Sequence, residues 1–460
     1  MSAILSCFTK SVRKLFLVYL ICMSTDLWSA SADGWRSAAA SVRITPETMM
    51  WMAGYASRTK PSDGVTLDLF AKTLLIEDAR QQRLVIFTLD LIGVPRSLRE
   101  SLTRRIESDH GIKPAFVLIN ASHTHSGPEL RATRTDLTDE PNRRADEAAA
   151  YTAALENSLL AMLKDCLGRL QAAQIHYSHA RCGFAMNRRT PSAAGGYKNH
   201  PHPPGPVNHT VPVLKVTDAE KKEIALVFGY NCHATTLGLQ QFNGDYPGYA
   251  QRELESAHPG AMAMFINGCS GDQNPYPRGK VEFAEAHGRT LALAVEAALT
   301  TNMQELSGSL RGTFEEIPLA YSPVPSQAQL EERLKSGPKL EAGHAGRLLG
   351  LMRERGSLPS SYPYPVQVLR LGKSLTLVTL GGEVVVDYSL RLQNEIEDPH
   401  VWVAGYSNDV MTYIPSFRVL KEGGYEAGDA MKYGSHPAPW SDQVEDHIVG
   451  TVLRLRQSLE

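Results

Sequence analysis

"AFVLINASHTHSGPEL", residues 115–130, reads as a short apolar strand running into a polar turn. The run Ala115–Asn120 has strand length, and His123 and His125 follow it two positions apart. In an extended segment residues i and i+2 share a face, so both imidazoles point the same way. The same pattern recurs along the chain. His233 follows "IALVFGYNC", Asp272 and Asn274 follow "AMAMFINGCSG", Glu383 follows "LTLVTLGG", and Tyr413 comes just after "VWVAGYSNDVM". In open α/β folds ligands bind outside the carboxyl ends of the strands, so these residues are expected on one rim.

Working outward, strands and helices alternate. "VTLDLFAKTLLIED" and "RLVIFTLD" are strand-like around a turn at "ARQQ". Further strands are expected at "AQIHYSHA", "VPVLKV", "YPVQVLRLG" and "SLTLVTLGG". "PRSLRESLTRRIESDHG" has a Pro start, helical spacing and a Gly stop. "RRADEAAAYTAALENSLLAMLKDCLGRL" is the clearest amphipathic helix, and helices are also expected at "YPGYAQRELESA", "VEFAEAHGRTLALAVEAALTT", "VVVDYSLRLQNEIED" and "SDQVEDHIVGTVLRLRQSL". The Pro/Gly-rich patch "GGYKNHPHPPGPVNHT", residues 195–210, is expected to be an irregular surface loop. The fold class that follows is α/β, with mixed β-sheets and flanking helices.

The chain has 460 residues, 43% hydrophobic and 21% charged, with a formal net charge of −2. That is enough chain for a large core, and the charge balance points away from a nucleic-acid partner. Residues 1–32 have a basic start, an apolar stretch from Leu15 to Met23 and small residues at Ala30–Ala32. This layout predicts a secretory signal peptide, an exported (periplasmic or extracellular) protein, and one domain over residues 33–460. Beyond the signal lie Cys166, Cys182, Cys232 and Cys269, an even count that permits two disulfides in an exported chain.

Two histidines and a carboxylate are what a catalytic zinc takes from a protein. Each has a plainer use. An HxH pair can simply hydrogen-bond, His233 can be a satisfied core histidine, and Glu383 can favour the N-terminus of the helix after it. Ser270 in "GCSGD" lacks the GxSxG spacing of a serine hydrolase elbow.

The segments "RITPETMMWMAGYASR", "HTHSGP", "NCHATT", "GDQNP", "GGEVVVDYSLRL" and "TYIPSFRVLKEGGYE" together resemble the N-terminal catalytic region of the neutral/alkaline ceramidases, zinc amidases of sphingolipids. The resemblance implies zinc ligands at His123, His233, Glu383 and Tyr413. It places His125 beside the attacking water, Tyr425 at the substrate oxygen and Arg188 on the substrate side. Asp272 is assigned the orienting of a ligand histidine. Asn274 stands where the family has a serine important for activity, and an amide side chain cannot act as a nucleophile. The chain ends soon after the tyrosine motif, so the family's C-terminal immunoglobulin-like domain is expected to be missing. The implied function is an exported zinc-dependent amide hydrolase acting on a small amphipathic N-acyl substrate, ceramide or another N-acylated lipid, at a membrane surface. The alternatives left open are another metal-dependent hydrolase with an HxH site and an inactive binding module on the same fold.

Overall fold

The computed structural model describes residues 34–131 and 141–460; the expected signal peptide lies outside the described residues. Eight strands build the main sheet: β1 (Trp35–Arg43), β2 (Phe70–Glu77), β3 (Arg83–Leu89), β4 (Val117–Ala121), β5 (Gln171–Arg181), β6 (Thr210–Asp218), β7 (Glu223–Tyr230) and β8 (Met262–Asn267). Their order is β8-β7-β6-β5-β1-β2-β3-β4, with the short pair Gln304–Glu305 added to β5. The β3–β4 and β7–β8 pairs are parallel and the others antiparallel, so the expected mixed sheet is present. The central strands are buried almost throughout, as β2 and β3 show, which fits their continuous apolar composition.

The two end strands of this sheet meet. The Asn267 N–H donates to Asn120 Oδ1 at 2.8 Å, and Asn120 Nδ2 donates back to the Asn267 carbonyl at 3.3 Å. That contact brings the turn after β4 beside the turn after β8. A second sheet, β9 (Leu310–Ala320), β10 (Ser361–Leu371), β11 (Leu375–Leu380) and β12 (His400–Ala404), runs in that order. Backbone bridges Asn120–Ser407 and Gly268–Ala404 dock the end of β12 onto the same place. Hence the exits of β4, β7, β8, β11 and β12 converge from two sheets.

Helices α1 (Arg96–His110), α2 (Pro141–Gly168), α3 (Asp245–Ala257) and α4 (Val281–Leu299) accompany the first sheet. Helices α7 (Asp387–Glu395) and α9 (Val444–Gln457) close the core of the second. Between them in sequence lie the paired helices α5 (Gln327–Ser336) and α6 (Lys339–Arg355), with the short α8 (Phe417–Glu422) after α7. Among the described residues no helix is long and apolar enough to cross a membrane.

Several elements differ from expectation. β1 and β9 give no clear strand signal. The first contains Ala38–Ala40, and the second carries Gly312, Glu315, Glu316 and Pro318, all weak strand formers. The patch at 195–210 is not wholly irregular, because Tyr197–Asn199 pairs with Arg189–Pro191. Helix α7 begins at Asp387 rather than near Val384, since Glu383–Val384 is taken up in a parallel pairing with Tyr413–Ile414. The two disulfides that the cysteine count permits are not formed. All four cysteines are free thiols; Cys166 and Cys269 lie in separate core clusters, and Cys182 and Cys232 share a third.

Candidate functional site

Immediately after β4 the chain turns sharply, and His123 adopts φ 63°. That left-handed conformation is uncommon for a residue with a side chain and is held only where the surroundings impose it. Here the His123 N–H donates to the Leu91 carbonyl at 2.9 Å, and Nδ1 lies 2.5 Å from the Ile92 carbonyl. After β7, the His233 N–H donates to the Gln273 carbonyl at 3.0 Å, while Nδ1 lies 2.5 Å from the Ser270 carbonyl. A carbonyl accepts only from a protonated nitrogen, so both rings are fixed with Nδ1–H inward and Nε2 directed into the site.

Glu383 and Tyr413 arrive together, because their short strands pair in register with Glu383 opposite Tyr413. Glu383 Oε2 is 3.2 Å from His123 Nε2 and 3.2 Å from His233 Nε2, and Tyr413 Oη is 3.3 Å from His233 Nε2. Donors about 2.0–2.1 Å from one ion at tetrahedral angles lie about 3.3 Å apart. The donor set and its spacing therefore fit a zinc-sized ion. His125 Nε2 also faces this point, 3.1 Å from His123 Nε2, and the three histidines alone form a group able to hold a metal ion.

Burial, then the neighbouring imidazoles, keeps His125 well below the ordinary histidine range. Burial, then Arg188, pushes His233 down to about 4. Burial works against the charge of Glu383, but His123 and His233 outweigh it and hold the carboxyl well below its usual range. A neutral imidazole and an ionised carboxylate are the forms in which such groups ligate, and the shifts of His233 and Glu383 run in that direction.

Behind Tyr413 sits a buried polar network. Arg188 Nη2 donates to Tyr413 Oη at 2.9 Å, Nε pairs with Glu426 at 2.9 Å, and Nη1 donates to Asn274 Oδ1 at 3.2 Å. Asn274 also accepts from Thr235 at 3.2 Å and donates to Asn199 at 3.1 Å. Thus Arg188 reaches the phenol oxygen from behind, and Asn274 holds Arg188; neither lines the reaction cavity. Asp272 does not touch a histidine. Its carboxylate accepts from the Val386 N–H at 2.9 Å and from Asn187 at 2.9 Å, so the orienting role expected for it passes to the Ile92 and Ser270 carbonyls. Ser270 is fully buried and lies outside the cavity, which counts against a serine nucleophile.

The cavity over these donors has a volume of about 260 Å³ and is lined by His123, His125, Glu383, Tyr413 and Tyr425, among others. Tyr425 is 43% exposed at its mouth. Burial of its hydroxyl, then Glu383, pushes its pKa up to about 12, so it remains a proton donor at neutral pH. Two aromatic neighbours escaped the sequence reading. The Tyr55 ring lies 4.9 Å from that of His125, and Tyr406 lies 4.5 Å from His123. Gly54, with φ 99°, makes the first contact possible, because a Cβ there would stand 2.7 Å from His125 Cβ. Tyr55 falls within the "MAGYASR" part of the first resembling segment, but no chemistry attached to it there.

Residues 42–303 match the family model of the neutral/alkaline non-lysosomal ceramidase N-terminal region. Among solved structures, neutral ceramidase from Pseudomonas aeruginosa superposes with a TM-score of 0.69 at 18% identity, covering 93% of this chain and 74% of that one. A structure described as ceramidase complexed with C2 gives the same score and identity, with 76% of its own chain covered. No curated protein matches the sequence.

Proposed function

The chain belongs to the neutral/alkaline non-lysosomal ceramidase family, and on that footing we propose that it is an exported zinc-dependent hydrolase of an N-acyl amide. Membership implies hydrolysis of amide bonds; the metal, the export and the lipid nature of the substrate are our reading. The observation that carries it is the chain of close donor contacts from His123 to Glu383, from Glu383 to His233 and from His233 to Tyr413, at 3.2, 3.2 and 3.3 Å, beneath the cavity that His123, Glu383 and Tyr413 line. These four would hold the ion, which when bound acidifies water and polarises a carbonyl. His125, neutral and facing the same point, accepts the proton of the attacking water and returns it to the leaving nitrogen. Tyr425 donates to the oxygen as charge develops on it. Burial pushes the Tyr413 phenol well above its ordinary value, and Arg188, which donates to its oxygen, works in the opposite direction.

A second reading, with His125 as a ligand, is favoured by the 3.1 Å approach of its Nε2 to that of His123. The test is metal analysis of the purified protein beside turnover of a panel of N-acyl amides, ceramide included, before and after chelation. One zinc per chain, with activity lost on chelation and regained on adding zinc, is expected. Protein that takes up no zinc, or activity indifferent to chelator, overturns the proposal.

A further inference from the structure

Tyr55 and Ser57 form a wall shared by the reaction cavity and a second cavity of about 380 Å³. The second cavity is lined by Arg58, Lys60 and Arg278, and among the described residues no carboxylate lines it. Lys60 is paired with Asp63 at 2.8 Å on the solvent side. Arg58 and Arg278 make no ion pair among the described residues. Arg58 is largely buried: two of its nitrogens donate to the Ala53 and Leu239 carbonyls, and its Nε is buried without a partner. Asp245 is turned away, its carboxylate accepting from the Leu237 N–H at 2.9 Å and the Tyr246 N–H at 2.6 Å. A cation withdrawn from water without a counter-charge is costly unless a ligand supplies one.

The path between the two cavities is short. The Arg58 guanidinium stacks 4.9 Å from the Tyr55 ring, and the same ring lies 4.9 Å from that of His125. We propose that the second cavity is a subsite for an anionic group of the substrate, a carboxylate or a tetrahedral oxyanion, seated on Arg58 and Arg278 beside the scissile amide. The substrate class is then an N-acyl conjugate that carries a negative charge a few bonds from its amide. This rests on the reading of the first cavity as the place of amide hydrolysis. Planar guanidinium groups suit both kinds of anion, and charge-assisted bonds to them are the strong ones.

The test uses three conjugates with one acyl chain: N-dodecanoyl-β-alanine, its sulfonate counterpart N-dodecanoyltaurine, and the neutral N-dodecanoyl-β-alaninamide. Binding is read by calorimetry with chelator present, and turnover is read separately on zinc-loaded protein. At least one anionic conjugate is expected to bind tenfold or more tightly than the amide, with a preference that falls as salt rises. Arg278→Glu, at an exposed position, should cut the preference below threefold, and Lys60→Glu should lower it in the same direction. The two anions tell a carboxylate site from an oxyanion site. Equal binding of all three, no measurable binding of either anion, or a preference untouched by Arg278→Glu overturns the proposal. Anion preference without turnover of any conjugate would leave the subsite standing and remove amide hydrolysis. Turnover without preference would do the reverse.

Discussion

His123 and His125 are separated by one residue and, in our reading, by role. His123 is locked by two backbone carbonyls and a left-handed backbone, as a ligand must be, whereas His125 Nδ1 is buried with no partner. His123→Ala should therefore lose zinc and turnover together. His125→Ala should keep zinc and lose about 10²–10⁴ in kcat, the usual worth of a positioned acid/base. Zinc content measured beside kcat decides it, and equal metal loss in both variants would make His125 a ligand. Gly54→Ala gives an independent check on His125. The new Cβ would meet the His125 side chain at 2.7 Å from a backbone at φ 99°, so the ring must shift. The expected cost is about 1–3 kcal/mol in stability, with kcat falling toward that of His125→Ala while zinc is retained. Unchanged kcat would show that the position of His125 does not matter. The histidines and Glu383 were legible because each ends an apolar run. Tyr413 was expected on the same rim, but its place as a ligand came from the resemblance alone, since it follows its strand by several residues and reaches the site through the pairing with Glu383.

At the scale of elements, the strands that bring donors to the rim were legible from hydrophobic runs, and the helices between them from period and caps. β9 was not, because its weak strand formers are used by neighbours that the sequence does not show: a Cβ at Gly312 would stand 2.9 Å from the Ala115 carbonyl oxygen, and Glu316 pairs with Arg99. Contacts between elements are likewise invisible to periodicity. One such contact joins α3, α4 and β7. His258, just past α3, lies 2.7 Å from Glu223 and 2.8 Å from Glu296. Only the imidazolium can donate from both ring nitrogens. Burial opposes its charge, but Glu296 and Glu223 outweigh burial and raise its pKa above the ordinary value. A group raised on folding stabilises the native state fully below its unfolded pKa of about 6.5. That stability is lost as pH rises through the higher folded value. Wild-type protein should therefore melt above His258→Gln at acidic pH, with the gap closing as the pH rises past the folded pKa. A gap that is constant across pH, or that widens on the alkaline side, would remove the charge from the account.

For the whole molecule, the four cysteines beyond residue 32 raised the question of whether cross-links hold the fold together. Small exported domains depend on disulfides because their cores are small, but a chain that buries two packed sheets has no such need. Here one core cluster runs through β1–β4 and α2, and another through β10–β12, α7 and α9. The four thiols are packed into these cores and a third as small apolar groups, each at most 4% exposed. Burial pushes the thiol of Cys166 up to about 12 and that of Cys182 up to about 11. Thiols so protonated are poor nucleophiles and poor partners for oxidation. Spacing along the chain could say only that two bridges were permitted, since pairing depends on which layers of the fold the cysteines occupy. The melting temperature should then be the same with and without reductant, whereas a native disulfide contributes about 2–4 kcal/mol. Alkylation followed by mass spectrometry should leave all four unmodified in the folded protein and modify all four after denaturation without reductant. A cross-linked peptide among them, or a melting temperature that falls when reductant is added, would show that covalent bonds and not packing carry part of the stability.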